Sequence, residues 1–251
     1  MNAEEPDLSH RFAHPKLERT VLVDDVYEAI KSSVMDHVIA PGERINIGRL
    51  AKELAVSPSP VREALARLEA ENLVTKEPMK GYTSTKLLNR TEALELFELR
   101  MLIEPWAAAK AARSLSSECR TALVTELGGT TDAPSGGRYG KYRSLTAHDE
   151  RFHGLVAVAA NNQRVVEVLE GLHIHLHLFR LQYGLRDGVS TIEEHHNVGA
   201  SLLAGDPEAA EAAMRAHLEA SLARLLPGFD ADGKFITAVA SGSDCIQRDR
   251  S

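Results

Sequence analysis

The sequence predicts a mainly α-helical protein in two parts: an N-terminal winged helix-turn-helix, whose wing is a small β-hairpin, and a C-terminal all-α helical bundle. Three observations predict it. Strand-like patterning is confined to residues 73–75 and 82–85, on either side of a turn containing Pro78 and Gly81. Three helical patterns precede that hairpin. After Asn89 the apolar spacing is helical almost to the end of the chain. A length of 251 residues suits two domains, and 43% hydrophobic residues suffice for real cores. The expected division is a flexible arm over 1–22, a DNA-binding domain over 23–88, a helical metal- and effector-binding domain over 89–228, and a tail over 229–251.

Taken in order, the first helix starts at Asp24 or Asp25. Val26, Ile30, Val34 and Val38 recur every four residues and form one apolar face, until Pro41-Gly42 stops the helix. Short helices follow over 47–54 and 60–71, then the hairpin. The bundle helices are expected at 91–113, 117–127, 139–160, 163–184, 191–204 and 207–226. Thr91, Ser117, Thr191 and Asp206 serve as N-caps and Gly205 as a stop. The stretch 128–140, rich in Gly, Ser and Thr, reads as a mobile loop.

Composition narrows the function. No apolar run approaches the ~18 residues of a membrane span. The first twenty residues resemble neither a signal nor a transit peptide, so a cytoplasmic protein is expected. Cys119 and Cys245 fit no metal or redox spacing. The net charge of −7 speaks against nucleic acid, but its distribution does not. Residues 43–90 hold nine Lys/Arg against six Asp/Glu, whereas residues 91–251 hold sixteen against twenty-two. A mildly basic segment thus precedes an acidic body.

Within the basic segment, Leu50, Leu54 and Val56 pin the first short helix and the turn to the core. Ser59 is placed to cap the next helix and Pro60 to occupy its first position, where no backbone N–H is needed. Val61, Leu65 and Leu68 face inward, leaving Ser59, Arg62, Glu63 and Arg67 on other faces. Residues near the start of a recognition helix meet base edges in the major groove, which makes Arg62 the main candidate for reading DNA.

The run LAKELAVSPSPVREALARLEAENLV, followed by a wing with KGY, resembles the GntR family of bacterial repressors over about residues 24–87. The resemblance implies a double-stranded operator bound through Arg49, Ser57, Ser59, Arg62, Arg67, Lys80 and Gly81. Many relatives carry arginine where this chain has Pro58, which cannot donate a hydrogen bond. The reading code must therefore differ, with Arg49, Ser59, Arg62 and the wing around Lys80 carrying more of it.

Eleven histidines leave chance pairs to sort. Asp149 and His153, four apart, share a helix face, and both side chains suit first-row metals. His173 and His177 form a rival pair at the border of an apolar face marked by Val165, Leu169, Leu172, Leu176 and Phe179. They read as pocket-rim residues, with His175 between them pointing elsewhere. Arg180, near that face, and Arg100, on the first bundle helix, can each hold a carboxylate bidentately or pair with a neighbouring Glu.

The segments ELRMLIEPWAA, AHDERFHGLVAVAANN and EEHHNVGASLLAGDPEAAEAAMRAHL are similar to the FCD sensor domain of the FadR branch of the same family. That resemblance implies a divalent metal held by one Asp and three His from three helices. By motif these are Asp149, His153, His195 and His217, while His196 lies about 100° away around its helix. Zinc comes first, with nickel or manganese as alternatives.

The function expected is a ligand-responsive DNA-binding regulator, not an enzyme: a homodimer on a near-palindromic operator, modulated by a small carboxylate at the metal. Arg100, Arg180, His173 and His177 are the effector-binding candidates. Two alternatives stand beside it. A metal-dependent hydrolase would use the same Asp/His site to activate water, but no separate general base is evident. A pure metal sensor would need no organic effector.

Overall fold

The computed structural model describes residues 16–129, 138–181 and 188–236. Helix α1 (Lys16–Met35) buries Val26, Tyr27, Ile30, Val34 and Met35. It begins earlier than its apolar pattern: residues 16–22 of the expected arm are helical, and 1–15 lie outside the described residues. It also ends earlier. His37 takes a left-handed backbone conformation (φ +54°), which breaks the four-residue spacing. Val38 is consequently 76% exposed, and Ile39 returns to the core in its place.

Helix α2 (Ile47–Glu53) is capped by Asn46, whose Oδ1 accepts the Arg49 N–H at 2.9 Å. Helix α3 (Pro58–Ala70) begins two residues before the expected start, with Ser57 at the N-cap position and Pro58 in the first turn. Ser59 is therefore not the cap. Both prolines fit because the first N–H groups of a helix have no intrahelical acceptor. Val61, Ala64, Leu65 and Leu68 are fully buried. Strands β2 (Val74–Glu77) and β3 (Gly81–Ser84) form the hairpin, joined by the short β1 (Arg44–Ile45) in the antiparallel order β1-β3-β2. Two residues carry no alternation, so β1 was not legible in advance. Gly81 sits at φ +88°, a conformation that costs glycine little.

The bundle follows the expected order, with changed details. Helix α4 (Arg90–Arg113) is capped by Asn89 and Glu92 in a reciprocal capping box, rather than by Thr91. Helix α5 (Ser117–Gly129) has Ser116, not Ser117, accepting a first-turn N–H. Helix α6 (Tyr139–Ala159) follows; of the expected mobile loop, Gly128 and Gly129 finish α5, and 130–137 lie outside the described residues. The single helix expected over 163–184 is two, α7 (Gln163–Leu172) and α8 (Ile174–Leu181), separated by left-handed His173 at φ +44°. Helix α9 (Val189–Ala204) starts ahead of Thr191, which is buried within it. Gly205 ends α9 at φ +69°, and Asp206 caps α10 (Pro207–Leu225), as the sequence predicts.

Beyond a 3₁₀ turn at Leu226–Gly228, Phe229 pairs with Phe235, and Gly233 accepts a hydrogen bond from the Arg90 N–H. Residues 229–236 of the expected tail are thus fastened to the start of α4; 237–251 lie outside the described residues. Helices α4 and α10 pack along most of their length, with α6 and α9 against them. Tyr139, Tyr142 and Leu145 of α6, and Leu176 and Phe179 of α8, enter the same apolar cluster as α1 and α3. The two helices that pack beneath the DNA-binding part also reach the interior of the bundle.

Candidate metal centre

Asp149 and His153 lie one turn apart on α6, and His195 of α9 and His217 of α10 face them. A potential ligand atom from each of the three histidines lies within 4.8 Å of the others. Asp149 Oδ1 is 3.8 Å from His153 Nε2 and 3.6 Å from His195 Nε2. His195 is completely buried and His217 nearly so, while the adjacent His196 is exposed, as the register argument requires.

The other side of each ring meets a polar neighbour, by a hydrogen bond at His195 and His217 and by a close approach to a carboxylate at His153. His153 Nδ1 lies 2.6 Å from Glu104 Oε2, His217 Nδ1 2.8 Å from Glu194 Oε2, and His195 Nδ1 2.9 Å from His148 Nε2. The Nε2 atoms of His153 and His195 both face Asp149 Oδ1. His195 Nε2 is buried with no hydrogen-bond partner. Burial, reinforced by the neighbouring histidines, pushes the pKa of His195 well below the ordinary value. Burial also lowers that of His217, against the opposing effect of the hydrogen bond it donates to Glu194. Neutral imidazoles are the metal-binding form. Burial alone would favour a neutral Glu104, but Arg100 and His153 outweigh it and keep the carboxylate ionised.

Three imidazoles and one carboxylate suit zinc, nickel or manganese. A buried nitrogen without a partner costs ~1–3 kcal/mol, which a coordinated cation would remove. The donor set therefore fits a divalent metal.

A cavity of about 290 Å³ opens against this point. Arg100, Glu104, Asp149 and His153 line it together with His173 and His175. Arg100 is buried and paired with Glu104 at 2.6 and 3.4 Å, and its Nη2 lies 3.5 Å from His153 Nε2.

The other effector candidates divide. His173 lines the cavity but His177 does not; burial next to Arg180 and His173 pushes the His177 pKa down to about 4. His175, expected to point elsewhere, faces the cavity 3.3 Å from Glu150. The break at His173 resets the helical phase, which an unbroken helix would have kept. Arg180 is not in the cavity at all. It is fully buried at the domain junction, donating to Thr85 Oγ1 at 2.6 Å, the Thr85 carbonyl at 2.7 Å and Ser84 Oγ at 3.4 Å.

On the DNA-binding part, Ser57, Ser59 and Arg62 are exposed along the first turns of α3. Arg49 is exposed and pairs with Glu53 at 2.7 Å; Lys80 pairs with Glu77 at 2.8 Å beside exposed Gly81. Arg67 instead leans back onto α1, 2.5 Å from Asp24 Oδ1 and over the Tyr27 ring at 4.0 Å. In that geometry it ties α3 to α1 while its side chain stays partly exposed. Sequence reasoning missed Arg44, exposed in β1 and bonded to the Lys80 carbonyl at 2.5 Å. It also missed the partners Glu104, His148 and Glu194. The i,i+4 spacing of Arg100 and Glu104 was the available signal for the first; nothing in the spacing marks the others.

A winged helix-turn-helix joined to an all-helical domain defines a DNA-binding transcriptional regulator. The chain belongs to the GntR family: residues 22–83 match the bacterial regulatory proteins of the gntR family, and residues 95–220 match the FCD domain. It is 28% identical over 193 residues to the uncharacterised HTH-type regulator YdhC of Bacillus subtilis, covering 76% of this chain and 85% of that protein. It is 26% identical over 215 residues to the transcriptional repressor GlaR of Escherichia coli, covering 79% of this chain and 93% of GlaR. The structure of E. coli McbR/YncC shares the fold, with a TM-score of 0.60 and 22% identity over 82% of this chain and 97% of that one. Families and relatives alike are transcriptional regulators, which removes the hydrolase alternative.

Proposed function

We propose that this regulator is a repressor that binds a near-palindromic operator as a homodimer and responds to a small organic acid at a divalent metal. It would work in the cytoplasm, with residues 23–88 reading DNA and 89–228 sensing. The observation that carries the sensing part is the buried, partnerless Nε2 of His195, set among His153, His217 and Asp149 at the wall of a cavity. Bound there, a metal such as zinc would supply open coordination positions for a carboxylate and a neighbouring hydroxyl or keto oxygen. Nickel and manganese fit the same donors.

The chain's own residues do the rest. Arg100 offers a guanidinium on the cavity wall, already shared with Glu104, which favours an anion of low charge. His173 and His175 also line the cavity, and burial keeps the His175 imidazole neutral. Helix α8 begins at the cavity and terminates in the Arg180 contacts to Ser84 and Thr85, so movement of α8 would be felt at the end of the wing. An effector that favours one arrangement over the other shifts operator affinity by that difference, typically ~1–3 kcal/mol. On the DNA side, Arg62, Ser57 and Ser59 enter the groove with Arg49, while Lys80 and Gly81 of the wing meet the backbone.

Fluorescence anisotropy on promoter fragments tests the reading, with small carboxylates added to metal-loaded and chelated protein. An acid should change operator affinity several-fold only when metal is present. An equal response after chelation would make the metal structural and end the sensing proposal.

A further inference from the structure

Behind the metal centre lies a buried titratable group that neither DNA reading nor effector binding uses. His148 of α6 is 1% exposed and is not one of the residues that line the cavity. Its Nε2 lies 2.9 Å from Nδ1 of His195, and its Nδ1 lies 2.8 Å from Glu126 Oε1 on α5. Glu126 is clamped in turn by Arg151, through Nε to Oε2 at 2.7 Å and Nη2 to Oε1 at 2.9 Å. Four side chains from three helices are thus linked in sequence, ending at His195, whose buried Nε2 has no hydrogen-bond partner.

The hydrogen count along that line admits one arrangement when a cation sits at the inner end. Coordination takes the Nε2 lone pair of His195, so its proton is on Nδ1 and must be donated to His148 Nε2. His148 then carries its own proton on Nδ1 and donates it to Glu126, an acceptor whose charge Arg151 balances. No member is left with two facing donors or two facing acceptors. His153 and His217 each meet a carboxylate directly, at Glu104 and Glu194. His195 alone reaches its carboxylate through a second imidazole.

We propose that Glu126 and His148 are positioning residues for the metal centre, holding His195 as the Nδ1–H tautomer with Nε2 aimed at the ion, and thereby setting how tightly the ion is held. This rests on the metal reading of the site. Outer partners of ligating histidines typically account for 10–100-fold in metal affinity. Arg151 is half exposed and ends the line at the surface.

The test measures zinc affinity by competition with a chromophoric chelator, and reads the His195 tautomer in metal-free protein by long-range ¹H–¹⁵N NMR. His148→Leu removes the acceptor while filling the space and should lose 10–100-fold in zinc affinity, with a mixture of tautomers at His195. In His148→Gln the amide oxygen can take the place of Nε2, and most of the affinity should return. Glu126→Gln, remote from the ion, should lose a smaller factor in the same direction. Wild-type zinc affinity and an unmixed tautomer in His148→Leu would overturn the proposal, as would a His148→Gln protein no better than His148→Leu. Should His148→Leu fail to fold, Glu126→Gln decides alone, and unchanged affinity there refutes the arm. A wild-type protein that binds no zinc, nickel or manganese would instead refute the metal reading itself.

Discussion

Replacing His195 with alanine should abolish the metal-dependent part of the protein's thermal stability, while replacing His196 should leave it intact. The two are neighbours in sequence, but His195 is fully buried with Nε2 at the proposed ion, and His196 is exposed. A ligand present at a hundred times its dissociation constant stabilises the folded state by about 2.7 kcal/mol. For a chain of this size each kcal/mol moves the melting temperature by ~2–4 °C. Chelation should therefore lower the wild-type melting temperature by about 5–11 °C, the range those two figures span. In the metal-free protein His195→Ala has opposing effects. It removes a ring stacked on Phe152 at 4.1 Å and leaves His148 Nε2 short of a donor, but it also deletes an unsatisfied nitrogen. The assay is melting by circular dichroism, with and without EDTA, after loading with zinc. A wild-type melting point indifferent to EDTA would refute the reasoning, and so would a metal-dependent shift that survives in His195→Ala but vanishes in His196→Ala.

Arg62→Ala should abolish operator preference in anisotropy titrations against specific and scrambled DNA. Arg67→Ala should keep that preference and instead lose ~1 kcal/mol or less of stability, because its ion pair with Asp24 is exposed. His217→Ala should still bind operator yet no longer respond to the effector acid, read in the same titration. Arg180→Met should fold and bind DNA while the acid's effect shrinks at least threefold, because the junction loses its three hydrogen bonds. Desolvation, with Arg180 and His173 nearby, pushes the pKa of partly buried His177 down to about 4 in the folded protein, so the unfolded chain binds the extra proton first. Stability should be flat above about pH 6.5 and fall by up to ~1.4 kcal/mol per pH unit toward pH 4 on its account. His177→Gln should flatten that fall in urea melts.

How much of this was legible in the sequence depended on the range of the physics involved. Helix faces, the hairpin, Asp206 and Gly205 are local, and they emerged with the right type and nearly the right place. Convergence of Asp149, His153, His195 and His217 was legible through the family resemblance, since spacing alone gives only the first pair. What escaped was set by single backbone angles or by distant neighbours. Left-handed His37 and His173 end helices that their side-chain periodicity would continue. The first of these put Val38 in solvent, and the second put His175 in the cavity. Arg180 and Arg67 have the chemistry of ligand- and DNA-binding residues, but partners 95 and 43 residues away claim them. No window of sequence contains those partners.

The guanidinium of Arg180 also has a consequence for how the two halves part. Its hydrogen-bond partners among the described residues, Thr85 and Ser84, are neutral, and its Nε is buried without one. Burial lowers its pKa to about 10, so it stays charged at neutral pH. Three dipoles hold the junction shut, yet the same cation regains its hydration as soon as water reaches it. The side chain therefore contributes to closure through its three hydrogen bonds and to opening through its unsatisfied Nε and its lost hydration. Any parting of the two halves exposes Ser84 and Thr85, so amide exchange at those two residues is where it should register first.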